Sequence, residues 1–167
     1  MKYYFKENFR FLLADGALYD SNNVPVYTYE NKTLFLPEVE LRRGNEKVGM
    51  IATDLTFMLR RYQLYLLGKR IGTLQQCFRW FSHKLELPEL GWTIEGDFLA
   101  MEYRILDERG DVLATVDQEM FRMTRRYYVN IIDESHELEL VLLVTAINLY
   151  DKQISARASS GYHHHNH

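Results

Sequence analysis

From residue 3 to about residue 133 the chain alternates between short apolar runs and turn residues. The runs are strand-length and rich in β-branched or aromatic residues, as half-buried strands are. They include VPVYTY (24–29), KVGMIA (47–52), RIGTLQ (70–75), WTIEGDF (92–98), AMEYRIL (100–106), DVLATV (111–116) and YYVNII (127–132). Gly, Asn or Asp marks the turns, at Asp15-Gly16, Ser21-Asn22-Asn23, Arg43-Gly44-Asn45, Leu67-Gly68-Lys69 and Arg109-Gly110-Asp111. This spacing predicts an all-β sandwich or barrel.

The same stretch contains an internal repeat. The segments LRRGNEKVGMI, YLLGKRIGTLQ and PELGWTIEGDF align on Gly44, Gly68 and Gly91, which are 24 and 23 residues apart. That period is about the length of two strands and two turns. At roughly 11 residues per strand and turn, the stretch holds about twelve strands, more than a flat sheet holds without curling or closing.

The last regular segment has a different pattern. SHELELVLLVTAINLY, residues 135–150, places apolar residues on every side of a helix, and such a helix must be buried. It is too short to span a bilayer, which takes about 20 apolar residues. Asp133 or Ser135 can cap its start. The alternative is one more buried strand, since VLLV is compatible with either structure. If it is a helix, the predicted sheet must wrap around it.

Composition and charge narrow the class of protein. The 167 residues, with 12 Tyr and 9 Phe, suit one β-rich domain. The formal charge of −3 gives no general attraction to nucleic acid, which is not expected as a partner. One cysteine, Cys77, has no partner for a disulfide, and MKYYFKENFRFLL lacks the apolar core of a signal peptide. We therefore expect a cytoplasmic protein without a transmembrane segment, and peripheral membrane association is left open.

Two stretches resemble a known family. GWTIEGDFLAMEYRILDERGDVLATV (91–116) and YYVNIIDESHELELVLLVTAINL (127–149) resemble the LURP-one-related family, which belongs with the phospholipid scramblases and tubby proteins in the tubby C-terminal-like superfamily. The matching positions are Gly91, Trp92, Gly96, Asp97, Asp107, Gly110, Ala114, Asp133 and Glu134. The resemblance runs from MKYYFKE to Asp151. It implies a closed, roughly twelve-stranded antiparallel barrel around a buried C-terminal helix.

The chain departs from its relatives in ways that limit what the resemblance implies. Asn148 stands where the family commonly has an acidic residue, and residues 120–123 replace aromatic pairs. After the helix the chain offers only DKQISARASSGY, so neither scramblase activity nor calcium binding is implied. Tubby proteins are thought to bind phosphoinositide headgroups through basic barrel residues, which raises lipid binding as an alternative.

Division into domains follows the same reasoning. Residues 1–152 are expected to form the tubby-like barrel with its central helix at about 135–150. Residues 153–167 are expected to be a disordered or tag-like tail, because GYHHHNH at a terminus is more often loose than a metal site.

Catalytic chemistry is not expected from the residues of the barrel. Its only imidazoles are His83 and His136, and nothing in the sequence places a Ser or Cys side chain near either one. His136 fits a polar residue at the helix start, and Cys77 fits a small core or edge residue. The acidic residues are scattered as in solvated loops. The prediction is a non-enzyme with no catalytic residue, cofactor or metal site, and an unrecognised enzyme is the weakest alternative.

Two adjacent arginine pairs, Arg60-Arg61 and Arg125-Arg126, follow Met in a repeated Met-x-Arg-Arg-Tyr pattern. Neighbours within a strand point to opposite faces, so one arginine of each pair would face the packed helix. Burying an unpaired guanidinium costs on the order of several kcal/mol. Each arginine pair is therefore predicted at a turn or at the end of a strand. The pairs are 65 residues apart, close to three repeat units of about 22 residues, which predicts one end of the barrel for both.

Other turns at the same phase extend this basic surface. The candidate anion-binding or lipid-binding set, which we name the basic rim, is Arg60, Arg61, His83, Lys84, Arg122, Arg125 and Arg126. The turns of the opposite end are predicted to carry both signs of charge.

Two functions are consistent with these features. The first is a non-enzymatic protein-interaction or scaffold module with an unknown protein partner, in which the arginines are solvated turn residues. The alternative is peripheral binding of the basic rim to the anionic phospholipid headgroups of a membrane surface. A small ligand inside the barrel is less favoured than surface binding, because the helix would occupy the interior.

Overall fold

A computed structural model describes residues 1–6, 16–33, 38–56, 59–79, 82–97, 102–121 and 124–160. Within them the chain forms twelve strands and one long helix. The strands are β1 (Lys2–Lys6), β2 (Gly16–Tyr19), β3 (Pro25–Asn31), β4 (Glu38–Arg43), β5 (Glu46–Thr56), β6 (Leu59–Leu66), β7 (Lys69–Arg79), β8 (Ser82–Leu87), β9 (Trp92–Asp97), β10 (Glu102–Leu106), β11 (Val112–Phe121) and β12 (Thr124–Ile131). Helix α1 covers Glu137–Ser160. Short 3-10 turns lie at Pro88–Leu90 and Glu134–His136.

The strands form a closed antiparallel barrel in which each strand pairs with its neighbours in sequence. Closure comes from β1 and β12, which pair from Lys2 opposite Asn130 to Lys6 opposite Arg126. Successive connections therefore alternate between the two ends of the barrel. We call the end where α1 begins the helix-start end; the connections after even-numbered strands lie there. The predicted closed barrel of about twelve strands with a C-terminal helix is confirmed.

The glycine repeat marks the connections at the helix-start end. Gly44, Gly68 and Gly91 have φ angles of 59°, 79° and 67°, a left-handed conformation that glycine adopts without steric cost. Register shifts, typical of β-bulges, interrupt the ladders just before four of these connections. They lie at Leu18/Tyr19, Leu41/Arg42, Leu64/Tyr65 and Ile105/Leu106. The sequence repeat is thus a two-strand unit with a left-handed glycine at its turn, and the units at Gly44 and Gly68 also carry a bulge.

Helix α1 fills the interior of the barrel. Every residue from Leu140 to Leu149 is buried, as a helix that is apolar on all sides requires. Inward-facing residues of the strands, including Leu41, Leu64 and Ile105, are fully buried in the same core. The helix interpretation of this segment is therefore confirmed and the strand alternative is wrong.

The ends of the helix differ from the predicted 135–150. The helix begins at Glu137, after a 3-10 turn, and ends at Ser160, ten residues beyond the predicted end. Residues 151–160, DKQISARASS, contain no Gly or Pro, and Gly161 follows them, which is a common helix terminator. The expected division at residue 152 therefore falls inside the helix. Residues 161–167, with the His-rich tail, lie outside the described residues.

Helix α1 is 24 residues long. None of the described helices combines the length and the apolarity that a membrane-spanning segment needs.

Candidate functional site

The backbone places most of the basic rim at one end of the barrel. Strands β6, β8 and β12 each follow an odd-numbered strand, so all three begin at the end opposite the helix-start end. The rim positions lie near those beginnings. They are Arg60 and Arg61 in β6, His83 and Lys84 in β8, and Arg125 and Arg126 in β12. Arg122 lies outside the described residues. The side chains of Arg60, His83 and Arg125 also lie outside the description, so only their backbone positions enter the argument.

Arg61 has no ion-pair partner among the residues that the structure describes. Its side chain is half-buried, and among the described residues no acceptor lies within hydrogen-bond distance of its Nε. Asp54 is directly opposite on β5, but its Oδ2 is 3.5 Å from Nε2 of Gln63. Arg61 and Asp54 therefore face each other across the two strands without forming an ion pair.

Lys84 contributes less positive charge to the basic rim than its position in the sequence implies. Its Nζ forms an ion pair with Glu95 of β9, and the two side chains are 42% and 31% exposed. Such a half-exposed pair adds little stability, yet it neutralises the lysine charge at the surface. The register between β8 and β9 decides this pairing, which the local sequence does not reveal.

Arg126 belongs to an aromatic cluster on the outer wall. Its Cζ lies 5.4 Å from the centre of the Tyr4 ring, within cation–π distance. The Tyr4 ring stacks on Tyr19 at 5.5 Å and lies 5.9 Å from Tyr128. Sequence reasoning missed this cluster because three different strands, at opposite ends of the chain, contribute to it.

A second missed group lies at the start of α1. The hydroxyls of Tyr3 and Tyr27 both donate to Oε1 of Glu137, at 2.5 Å and 2.6 Å. Burial, and then the charge and hydrogen bond of Glu137, raise the pKa of both tyrosines well above the usual value of 10.0. The Arg43 guanidinium lies 5.5 Å from the centre of the Tyr27 ring. This arrangement fastens the first residue of the helix to β1 and β3.

The expectation that no Ser lies near a histidine is wrong at His136. Ser135 Oγ and Asp133 Oδ2 lie 3.1 Å and 3.0 Å from Nδ1 of His136, and the Ser135 hydroxyl donates to Asp133 Oδ1 at 2.5 Å. Both contacts use one ring nitrogen, and while that nitrogen donates to Asp133 it cannot accept the serine proton, as a general base must. The ring packs edge-on against Trp92, with centroids 5.6 Å apart.

Asp133, Ser135 and His136 instead form the cap of the helical segment. Asp133 accepts a hydrogen bond from the Ser135 backbone N–H at 3.1 Å, as an N-cap residue does. Hydrogen bonds from the Ser135 and His136 side chains hold the pKa of Asp133 below its usual value of 3.8. His136 is therefore a polar residue at the helix start, as predicted. In the described part of the chain no three His, Cys, Asp or Glu side chains are grouped closely enough to hold a metal ion.

Comparison with protein-family models matches one described as LURP-one-related over residues 1–148. That range covers all twelve strands and α1 through Asn148. Neither the comparison with curated proteins nor the comparison with solved structures found a match.

Proposed function

Because the chain belongs to the LURP-one-related family, we propose that it is a non-enzymatic barrel that acts as a protein-interaction or scaffold module in the cytoplasm. The filled interior is the observation that supports this proposal. Helix α1 is buried from Leu140 to Leu149 among the inward-facing side chains of the strands. A packed interior leaves the outer surface for recognition. Fold alone does not imply function, so the proposal depends on what that surface carries.

The non-enzymatic part of the proposal is supported by the cluster at His136. It is the one described place where a serine, a histidine and an aspartate meet, and its hydrogen bonds serve to cap a helix. A nucleophile needs a base that removes its proton. Here the Ser135 hydroxyl forms its shorter hydrogen bond with Asp133 Oδ1, at 2.5 Å, and His136 Nδ1 lies as close to Asp133 as to the serine oxygen.

Stoichiometric capture in a cytoplasmic extract tests the interaction module. The immobilised full chain is expected to retain one or a few proteins in near-equal amounts, and free chain should displace them. In parallel, the free chain is incubated with a metabolite extract that is followed by mass spectrometry. Catalytic depletion of a metabolite, or retention of trace proteins that free chain does not displace, would contradict the proposal.

A second candidate function is peripheral binding of the basic rim to anionic phospholipid headgroups. The backbone positions of Arg60, Arg61, Arg125 and Arg126 at one barrel end favour it. Each Arg or Lys near an anionic membrane contributes about 1 kcal/mol. The ion pair between Lys84 and Glu95 reduces the number of available cations, so the arginines are the residues to test.

Vesicle sedimentation tests the lipid candidate. Replacing the four arginines by Ala is expected to weaken binding to phosphatidylserine-containing vesicles by roughly 10³-fold at low salt, since about four charge contacts are lost. The matched control replaces four cations of the helix-start end by Ala, at Lys47, Lys69, Arg70 and Arg109. Equal pelleting of the two variants, or no pelleting of the unmodified chain, would rule out docking through the rim.

A further inference from the structure

Leu67 is the most exposed large apolar residue in the described part of the chain. Its exposed fraction is 65%. Leu67 and Gly68 form the two-residue turn between β6 and β7, and the residues that flank them, Leu66 and Lys69, pair across the two strands. Apolar side chains stabilise a fold when they leave water, so the side chain of Leu67 adds little to the stability of the barrel.

The backbone of this turn is also unfavourable for leucine. The φ angles of Leu67 and Gly68 are 48° and 79°, the positive values that a type I′ turn requires. Asn or Gly usually occupies the first of these positions, because a Cβ atom in the left-handed conformation approaches the following carbonyl oxygen too closely. Among the described non-glycine residues only Asn23 shares a positive φ, and asparagine tolerates it. Backbone strain of this kind is concentrated at functional sites.

The surrounding structure holds Leu67 in place. Its backbone N–H donates to the carbonyl oxygen of Val48 at 2.9 Å, which extends the pairing of β5 and β6 into the turn. Leu66 is packed against the core, and Arg70 pairs with Glu89 of the next connection at 2.9 Å. Leu67 is therefore a fixed apolar projection, so its binding to a partner costs little conformational entropy.

Three consecutive connections of the helix-start end surround Leu67 with charged residues. We name as the turn surface the segments Glu40–Lys47, Leu66–Arg70 and Pro88–Leu90, whose side chains are all described. The turn surface contains five cations and three acids, an excess of two positive charges, whereas the whole chain has a formal charge of −3. These residues are Arg42, Arg43, Lys47, Lys69, Arg70, Glu40, Glu46 and Glu89.

The ion pairs within the turn surface leave that excess in place. The single carboxylate of Glu40 contacts two cations, Arg42 at 2.6 Å and Lys47 at 3.0 Å, and it can neutralise only one of them. Arg43 lies opposite Glu46 in the register of β4 and β5, so these two charges balance. One positive charge therefore remains on this side of Leu67.

Lys69 supplies the second positive charge. It follows Leu67 by two residues and is exposed. Among the described residues no carboxylate lies within ion-pair distance of its Nζ. The exposed apolar projection is thus flanked by available cations on two sides.

We propose that the turn surface binds an acidic amphipathic helix of a partner protein. Leu67 packs between apolar side chains of that helix, where four neighbouring side chains form a hole for one such residue. Carboxylates of the helix lie against Lys69 and against the two cations that share Glu40. The inference rests on the proposed interaction module and assigns it a surface and a partner chemistry.

An anionic membrane fits the turn surface less well. Glu46 and Glu89 are exposed beside the cations, and a uniformly negative surface would repel both. Membrane contacts of this kind bury several apolar residues together, whereas the turn surface has one exposed large apolar residue, Leu67. A helix can place its carboxylates against the cations and keep neutral residues opposite the two acids.

Chemical-shift mapping tests the location. The ¹⁵N-labelled full chain is titrated with a synthetic helical peptide that carries Leu along one face and Glu beside it, and with the same peptide carrying Lys in place of Glu. We expect saturable shifts concentrated in Glu40–Lys47, Leu66–Arg70 and Pro88–Leu90 with the acidic peptide only. Shifts centred elsewhere, no shifts, or equal binding of the two peptides would overturn the proposal.

Two uncharged substitutions provide a matched comparison. Leu67→Asn removes the apolar projection, whereas Val24→Asn removes another exposed apolar residue, 54% exposed, from the turn between β2 and β3. Leu67→Asn is expected to weaken binding of the acidic peptide roughly tenfold, and Val24→Asn less than about twofold. Equal effects of the two substitutions would contradict a specific role for Leu67.

Thermal unfolding separates binding from folding. Asn-Gly is a preferred sequence for this turn, so Leu67→Asn should unfold at the same temperature as the unmodified chain or at a higher one. Loss of peptide binding without loss of stability supports the proposal. A clearly lower unfolding temperature would show that the leucine serves the fold, and the proposal would be wrong.

Two further outcomes separate this inference from the broader proposed function. If the proteins captured from the extract bind Leu67→Asn as well as the unmodified chain, the interaction module stands and the turn surface is wrong as its binding surface. If Leu67→Asn abolishes pelleting with phosphatidylserine-containing vesicles while the acidic peptide does not bind, the turn surface recognises lipid and the protein occupant is wrong.

Discussion

Glu137 shows how much a single residue depends on the rest of the fold. In the sequence it is one of several acidic residues near a helix start, where a negative charge suits the helix dipole. In the structure its Oε1 accepts hydrogen bonds from Tyr3 and Tyr27, residues 134 and 110 positions away. A carboxylate beside an apolar core needs such donors. The three side chains therefore connect the helix start to two strands of the barrel wall.

The tyrosines are expected to make the barrel sensitive to alkali. Burial and Glu137 raise their pKa values above 10.0 in the folded state. Their contribution to stability is therefore complete below pH 10 and is lost as pH rises above it, because the unfolded chain ionises first. Each tyrosine adds up to about 1.4 kcal/mol per pH unit to that loss. Urea unfolding between pH 8 and pH 11 measures it.

Tyr27→Phe provides the comparison. At neutral pH it should lower the free energy of unfolding by roughly 1.5–3 kcal/mol, since a hydrogen bond to a charged group is lost. Above pH 10 its stability should fall less steeply than that of the unmodified chain. An unchanged slope would show that Tyr27 ionises as easily in the folded barrel as in the unfolded chain.

At the scale of elements, α1 approaches β5 closely at Gly49. A Cβ added to Gly49 would lie 2.8 Å from Leu142 Cδ1 and 3.3 Å from the Tyr65 carbonyl oxygen. Leu142 is fully buried, so its side chain has little room to move away. A hydrogen bond makes a second contact between the helix and the wall. Asn148 is buried, and its Nδ2 donates to the Tyr29 hydroxyl of β3 at 3.2 Å.

Substitutions at this contact should not be additive. Gly49→Ala is expected to cost about 1–3 kcal/mol by overpacking, and Leu142→Ala about 2–5 kcal/mol by leaving a cavity. The double variant should be more stable than the sum predicts by about 0.5 kcal/mol or more, because the new methyl group enters the space that Leu142 leaves. Denaturant unfolding measures all three.

Leu143→Ala supplies the control for that cycle. Leu143 is also fully buried, but it is not among the atoms nearest to a Cβ at position 49. Combined with Gly49→Ala, it should be additive within about 0.5 kcal/mol. Equal coupling of both leucines to position 49 would contradict the packing described.

At the scale of the molecule, the barrel depends on a junction between its first and last strands. Strand β1 pairs with β12 over five residue pairs, Lys2 to Lys6, and with β2 on its other side. A closed barrel has no free strand edges, whereas an open sheet presents unpaired N–H and C=O groups that promote aggregation. The junction therefore decides whether the chain is a closed barrel or an open sheet.

Removing Lys2–Lys6 should open the barrel. We expect the variant to form oligomers or aggregates and to lose its cooperative thermal transition, because β12 and β2 become free edges and Tyr3 and Phe5 leave the core. Light scattering during size-exclusion chromatography and a calorimetric scan measure both effects. Deletion of residues 161–167 is the control, since no described strand includes them. A monomer with an unchanged thermal midpoint after deletion of Lys2–Lys6 would contradict this account.

The amino-acid sequence by itself determined the features that depend on local periodicity. Runs such as VPVYTY alternate with the period of a strand, and the segment from Leu138 to Leu149 is apolar on all sides of a helix. The spacing of Gly44, Gly68 and Gly91 predicted the two-strand repeat. An up-and-down barrel alternates its connections between two ends. The same repeat therefore also predicted that the residues of the basic rim lie at one end of the barrel.

Only the tertiary structure decided which side chains meet. The register between strands pairs Lys84 with Glu95, leaves Arg61 Nε without a hydrogen-bond acceptor among the described residues, and sets Arg126 over Tyr4. Closure of β1 on β12 then joins two basic, aromatic segments that are more than a hundred residues apart in sequence. A shift of register by one residue would move every side chain to the other face of the wall. The charge that remains available for binding is therefore a property of strand register, which no local pattern encodes.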